Sequence, residues 1–332
     1  MRHLPSPSAA RAAMGGLRAF ALLALCFAAA AAAAKEGKNW CYASQQCRDP
    51  SCKEPRLWAE LYEECENRKQ SPVNILTRQV KYDDSLKPFD FKNYNIKSDR
   101  KWIVENNGHT VQVHLDGTEM VERGGLTGKY KAVQFHFHWG SEVGEKLSPG
   151  SEHSIDGVRY AMELHIVHIK EEFNNVSSAI QRKGVAVLGF FMTVGKENSN
   201  YEPLISKLEV VSAAGKKTEM PALMLGSLIP EKKDLTNFYR YTGSLTTPGC
   251  NEEVVWTLFE KPIELDMIQM GKFWKSLHFN SNMTHFMVDN FRPVQPLNSR
   301  IVYKSSSNAL LPPRNLLLLV PTAAYLAFAS IQ

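Results

Sequence analysis

Apolar and polar residues alternate along much of the middle of the chain, with the period of two that belongs to half-buried β-strands. Segments 101–104, 110–114, 132–139, 160–168, 185–194 and 254–259 are rich in β-branched and aromatic residues and are predicted strands. Segments 201–211 and 263–277 carry their apolar positions at helical spacing instead. Proline-containing turns such as Ser71-Pro72 and Thr247-Pro248-Gly249 punctuate the pattern. Strands in succession with few helices between them predict a mainly β chain of mixed α/β type, built on an antiparallel or mixed sheet rather than a doubly wound one.

Two of these strands carry an unusual polar face. In Gln134-Phe135-His136-Phe137-His138-Trp139 the alternation puts Gln134, His136 and His138 on one side and the aromatic rings on the other. In Glu163-Leu164-His165-Ile166-Val167 it puts Glu163, His165 and Val167 together. One such histidine alone reads as an ordinary strand residue. Three that converge when the strands are neighbours read as ligands, because a buried polar group needs a partner and a metal supplies one. Three nitrogen ligands leave a tetrahedral zinc an open position, the arrangement of a catalytic site. A zinc-bound imidazole usually donates its other N–H to a carboxylate or carbonyl, and Gln134 and Glu163 each stand two residues before a histidine on its own face.

The ends of the chain read differently. Arg2, Arg11 and Arg18 precede an apolar, alanine-rich run that ends near Ala34, the pattern of a secretory signal peptide spanning 1–34. The alternative is a membrane anchor, though the run is shorter than the roughly 18 apolar residues of a span. Near the other end, Ser305-Ser306-Ser307 and a short spacer lead to the apolar stretch 316–331, with no basic residue after it. That is the signal for a glycosylphosphatidylinositol anchor over 305–332, with Ser305 as the expected attachment residue and Ser306 or Ser307 as fitting alternatives. A short tail-anchor helix is the competing reading. Both ends place the domain at the extracellular face of the plasma membrane. The sequons at Asn175 and Asn282 suit that placement as glycosylation sites.

Composition adds limits. With both ends removed, roughly 270 residues remain over 35–304, enough for one domain with a sizeable core. The net charge of +5 is scattered and no basic cluster is interleaved with aromatics, so nucleic acid is not an expected partner. Cys26 leaves with the signal, and Cys41, Cys47, Cys52, Cys65 and Cys250 remain. An odd number in an oxidising compartment means two bridges and a spare thiol, or an intermolecular bond, and spacing alone does not assign the pairs.

Further candidates lie in loops. A threonine hydroxyl in Ser244-Leu245-Thr246-Thr247-Pro248 can accept a hydrogen bond from a metal-bound hydroxide while donating its own proton. Glu152, between the two histidine strands, is a candidate acceptor for that proton. His109, on a predicted turn after Asn107-Gly108, has the chemistry to pass protons near neutral pH. His168 faces away from His165 and reads as a structural histidine, as do His153, His278 and His285.

From about Trp40 to Lys304 the chain resembles the animal α-carbonic anhydrases, and within them the extracellular, membrane-anchored type IV group. The resemblance is carried by Gln70-Ser71-Pro72-Val73-Asn74-Ile75, Asn107-Gly108-His109, 134–140, Ser151-Glu152-His153, Glu163-Leu164-His165, 244–248 and Asn290-Phe291-Arg292-Pro293. It implies a single domain around a large, mostly antiparallel twisted sheet with peripheral helices. It implies Zn2+ on His136, His138 and His165, and hydroxide attack on carbon dioxide to give bicarbonate and a proton. By the same resemblance Thr246 orients the hydroxide, Glu152 stands behind it and His109 relays the proton. Gln134, Glu163 and the carbonyl of Asn290 hold the ligands, and Val167, Val187, Leu245 and Trp256 line the carbon dioxide site. Thr247 and Tyr42 belong to the polar side of the cleft. Bridges are implied for Cys65 with Cys250 and for Cys41 with Cys52, with Cys47 departing from the pattern. The expected partners are carbon dioxide and bicarbonate, a membrane through the lipid anchor, and bicarbonate transporters, which no residue pattern tests. A cell-surface binding module that has lost catalysis is the alternative, and the presence of every ligand argues against it.

Overall fold

The computed structural model describes residues 39–46, 52–144 and 146–305. The signal segment, Cys47 and the C-terminal apolar tail lie outside them. In chain order the strands are β1 (Asn74–Ile75), β2 (Lys81–Asp83), β3 (Phe89–Lys92), β4 (Lys101–Asn106), β5 (Val111–His114), β6 (Met120–Arg123), β7 (Tyr130–Trp139) and β8 (Glu142–Val143). They continue with β9 (Lys146–Leu147), β10 (Ser154–Ile155), β11 (Met162–Lys170), β12 (Val185–Val194), β13 (Lys217–Pro221), β14 (Phe238–Ser244), β15 (Glu252–Leu265) and β16 (Tyr303–Ser305).

One sheet of 12 strands dominates, in the order β13, β4, β5, β7, β11, β12, β15, β14, β16, β2, with β3 and β6 paired beside β7. Its pairings are antiparallel except β12 with β15 and β16 with β2. Each predicted strand segment falls on one of its strands, and the chain is mainly β as its alternation required.

The aromatic face of β7 builds the larger core. Phe135 packs edge-on against Trp102, and Phe137 lies 5.1 Å from Phe273 of the helix Met267–Ser276. A second apolar cluster, including Val167, Val187, Phe191 and Trp256, fills the region beside the histidines. Strand β11 is therefore covered on both faces, and all of its residues but Lys170 are buried.

The two helical expectations are corrected. Segment 263–277 begins as strand, because Ile263 and Leu265 are alternate buried positions of β15. The helix starts only after Asp266, whose side chain accepts from the Gln269 amide at 2.7 Å in a capping box. Segment 201–211 gives a single turn of α-helix, Glu202–Ile205. Ser206 Oγ then donates to the Pro203 carbonyl at 2.9 Å, a bond that competes with helix continuation, and the chain tightens into turns.

Candidate metal centre and catalytic cleft

Antiparallel register sets His136 directly opposite His165, so the two side chains share a face, and His138 follows two residues along it. The ring centroids lie 5.1 Å apart for His136 and His138, 5.2 Å for His136 and His165, and 4.7 Å for His138 and His165. One nitrogen from each ring lies within 4.8 Å of the others. The remaining nitrogens are spoken for. His136 Nδ1 donates to Gln134 Oε1 at 2.8 Å, His138 Nδ1 to the Asn290 carbonyl at 2.8 Å, and His165 Nε2 to Glu163 Oε1 at 2.6 Å. Those bonds fix the tautomers and leave lone pairs on the inward nitrogens. His138 Nε2 and His165 Nδ1 are buried with no hydrogen-bond partner. Burial, then the neighbouring imidazoles, pushes His136 well below the ordinary histidine range. Burial also lowers His138. Neutral imidazoles with orphaned, convergent lone pairs fit a divalent cation, and three of them fit zinc.

Glu163 is the hub beneath the ligands. Its Oε1 accepts from both His165 and His153 Nδ1, the latter at 2.7 Å, and its Oε2 accepts from the His153 amide at 2.8 Å. Burial favours the neutral acid, yet His153 and His165, which both donate to it, hold the carboxyl well below its usual range. His153 passes the network on to Tyr241 Oη at 2.7 Å, and Tyr241 to Ser71 Oγ at 2.7 Å. The close grouping of His153, Glu163 and His165 is thus a hydrogen-bond chain, and His153 has the structural role expected of it. His168 has the same kind of role: it bonds Tyr94 Oη at 2.6 Å and the Ile166 carbonyl at 2.9 Å.

Glu152 is 1% exposed, its Oε1 accepts from the Arg292 amide at 2.8 Å, and its Oε2 has no partner. Thr246 is buried in the turn after β14, where Leu245 N bonds the Asn251 carbonyl and Cys250 N the Thr247 carbonyl. No hydrogen bond joins Thr246 to Glu152 among the described residues. The expected apolar wall is assembled: Val167 pairs with Val187, Val187 with Trp256, and Leu245 packs on the same cluster. Trp256 also meets His165 edge-on at 4.8 Å.

His109 sits on the expected turn, where Asn107 Oδ1 accepts from the His109 and Thr110 amides and Gly108 takes φ 85°. Its ring lies flat on Trp40, with centroids 3.7 Å apart, and its Nδ1 is buried without a partner. Burial lowers it to about 4, against the near-neutral value expected of a solvated turn histidine. Tyr42 stands edge-on beside it at 6.4 Å, its hydroxyl pushed up by burial and by the Glu152 charge.

Disulfides join Cys65 to Cys250 and Cys41 to Cys52. Asn282 is exposed, and so is Asn175, whose Oδ1 caps the helix Val176–Gln181. Ser305, the expected attachment residue, is buried in β16, its Oγ accepting from Phe238 N at 2.9 Å and donating to Thr236 O at 2.8 Å. Sequence reasoning also left Arg292 and Trp40 without roles. The Asn290-Phe291-Arg292-Pro293 motif held the signal for Arg292; nothing local marks Trp40 as the cover of a histidine seventy positions on.

A model of the eukaryotic-type carbonic anhydrase family matches residues 53–306. The chain belongs to that family. Carbonic anhydrase 4 of Oryctolagus cuniculus is 42% identical over 92% of this chain and 96% of its own length. Carbonic anhydrase 4 of Rattus norvegicus is 40% identical over 91% and 96%, and that of Mus musculus 38% identical over 94% and 99%. The similarity is therefore to the type IV group, as the motifs implied. As a carbonic anhydrase the protein is a zinc-dependent carbonate dehydratase, and His136, His138 and His165 are the residues able to hold the zinc. Among the described residues no helix of this carbonic anhydrase is long and apolar enough to cross a membrane.

Proposed function

We propose that the protein hydrates carbon dioxide reversibly, to bicarbonate and a proton, at the outer face of the plasma membrane, with His109 as the proton relay. The observation that carries the catalytic part is the pair of orphaned nitrogens on His138 and His165, buried beside His136 and facing an apolar wall. When bound, zinc supplies a Lewis acid that makes water acidic, the effect for which carbonic anhydrases are the standard example. Carbon dioxide is small and apolar and suits the surface of Val167, Val187, Leu245 and Trp256. Glu152 Oε2, buried and unpartnered, is an acceptor for the Thr246 proton. A Thr246 hydroxyl that donates to Glu152 presents only lone pairs to the reacting oxygen, which selects one orientation for it. Thr247 and Tyr42 offer hydroxyls to the departing bicarbonate and its water.

His109 stacked on Trp40 is a poor base at neutral pH, so relay requires the ring to leave Trp40 and be solvated. His109→Ala is expected to slow turnover at low buffer, and added imidazole to restore part of it. Unchanged turnover would remove His109 from the route.

The cellular part of the reading is that 1–34 is a removed signal, that 35–304 is the catalytic domain, and that the lipid anchor joins Ser305, with Ser306 or Ser307 as alternatives. Glycans on Asn175 and Asn282, and a bicarbonate transporter as neighbour, belong to the same reading. The test is stopped-flow carbon dioxide hydration by the purified protein before and after zinc chelation. Activity should vanish with the metal and return with it. A folded, zinc-loaded but inactive protein would favour the binding-module alternative.

A further inference from the structure

Arg240, on β14, is a buried cation with no ion pair among the described residues. It is 8% exposed, in a sheet position between Thr257 of β15 and Tyr303 of β16. Nε and Nη2 donate to Thr257 Oγ1 at 3.1 and 2.9 Å, and Nη2 also donates to the Gly124 carbonyl at 2.6 Å. All of these acceptors are neutral. Nη1 has no hydrogen bond among the described residues, and no carboxylate forms an ion pair with the guanidinium there. Burial lowers Arg240 to about 10, although the nearby Asp83 charge acts the other way. Buried charges are ordinarily paired, because an unpaired one costs several kcal/mol.

A cavity of about 490 Å³ opens beside it, lined by Arg240, Arg300, Lys69, Ser85, Gly125 and Tyr303 among others. A Cβ at Gly125 would meet Leu86 Cδ2 at 2.5 Å and Arg240 Nη1 at 3.0 Å. The glycine, held at φ 73°, thus lets the backbone pass close to both Leu86 and that nitrogen. Arg300, half-buried, donates only to the carbonyls of Thr242, Leu297 and Pro296, again with no ion pair among the described residues. Two acids share the lining. Glu253 is paired with Lys69 at 2.7 Å, while Asp83, which accepts from the amide and hydroxyl of Ser85, sets one negative charge against the two arginines. The balance around the open nitrogen is positive, from two arginines whose geometry suits oxyanions.

We propose that this cavity is an oxyanion site for a phosphate group, with Arg240 Nη1 as the central donor and Arg300 as the second positive charge. Tyr241 shares this lining and reaches the ligand network through His153, but the proposal does not depend on the catalytic reading. Tyr303 in its wall is two residues from the end of the described chain, beyond which the sequence runs toward its apolar segment. The phosphate can thus come from a lipid headgroup or from solution.

Calorimetric titration of the full-length, zinc-loaded protein in detergent distinguishes the sources. The probes are inorganic phosphate and dihexanoylphosphatidic acid below its micelle concentration. Both should bind the wild type, and Arg300→Gln, which removes no buried neighbour, should weaken binding about tenfold. Arg240→Lys, which keeps the charge but loses the fork, should weaken it at least as much. His136→Ala should leave it unchanged, which separates this site from an anion held at the metal centre. Tighter binding of the lipid phosphate than of inorganic phosphate would assign the headgroup, and the reverse would assign the free ion. No heat from either probe, or heat lost only in His136→Ala, would overturn the proposal.

Discussion

Glu163 shows how far one side chain can set a site. It orients His165, holds His153, and stays charged in a place where burial alone would protonate it. Replacing it with glutamine swaps a double acceptor for a group that must present an N–H to one of its two histidines. Glu163→Gln is expected to weaken zinc by ~10–100-fold, read by competition with a chelator. An unchanged affinity would mean that His165 is held by packing alone. His168 supplies a test of another kind, since burial holds it at about 4. In the unfolded chain it titrates near about 6.5, so between those values the unfolded state binds a proton that the folded state does not. Its contribution is complete above about pH 6.5 and is lost as the pH falls toward about 4, a difference of ~3 kcal/mol. Urea unfolding should show the wild type losing ~3 kcal/mol more than His168→Gln between neutral pH and about pH 4. Parallel curves would sink that assignment. Trp40 acts on His109 in the same direction. Trp40→Ala should uncover the ring, raise its pKa toward about 6.5, and speed turnover at low buffer if exposure limits the relay. Slower or unchanged turnover would show that the stack does not limit it.

Elements were legible where a single period ran long enough to be read. Alternation in β7 and β11 located the ligands because one face of each strand is aromatic or aliphatic and the other is not. Short strands such as β3, β6 and β16 have too few residues for a period, and their existence depends on partners far along the chain. The capping box at Asp266 was readable in principle, as Asp followed three residues later by Gln, but the apolar spacing of β15 runs straight into it. The disulfides are elements of the same order. Cys65 and Cys250 are separated by 185 residues, and Cys41 and Cys52 by 11. In the chain-entropy account these loops are worth ~5 and ~3 kcal/mol. The pair Cys65→Ala and Cys250→Ala should therefore cost ~2 kcal/mol more in denaturant unfolding than Cys41→Ala with Cys52→Ala. It should also lower turnover, because Cys250 closes the turn that carries Thr247. Equal losses would show that strain or residual structure, not loop length, sets the difference.

At the scale of the whole molecule the question is where the catalytic domain stops. The sequence put the boundary before Ser305, because a run of serines looks like spacer. Tertiary structure claims the first of them: Tyr303, Lys304 and Ser305 form β16 between β14 and β2, and Lys304 pairs with Glu260 at 2.6 Å. No local pattern marks Ser305 as a strand residue, since what holds it is built by residues 236–238, far away in sequence. A chain ended after Val302 would leave β14 and β2 with unpaired edges and Phe238 N without its acceptor. Losing that buried bond alone costs ~1–3 kcal/mol. The stop after Val302 is therefore expected to melt well below the full-length protein or to fail in secretion. A stop after Ser306 should be secreted, melt with the phospholipase-released protein and keep its carbon dioxide hydration. If the stop after Ser306 were as unstable as the shorter one, the domain would need residues beyond it. The lipid would then have to join the chain further along than Ser306.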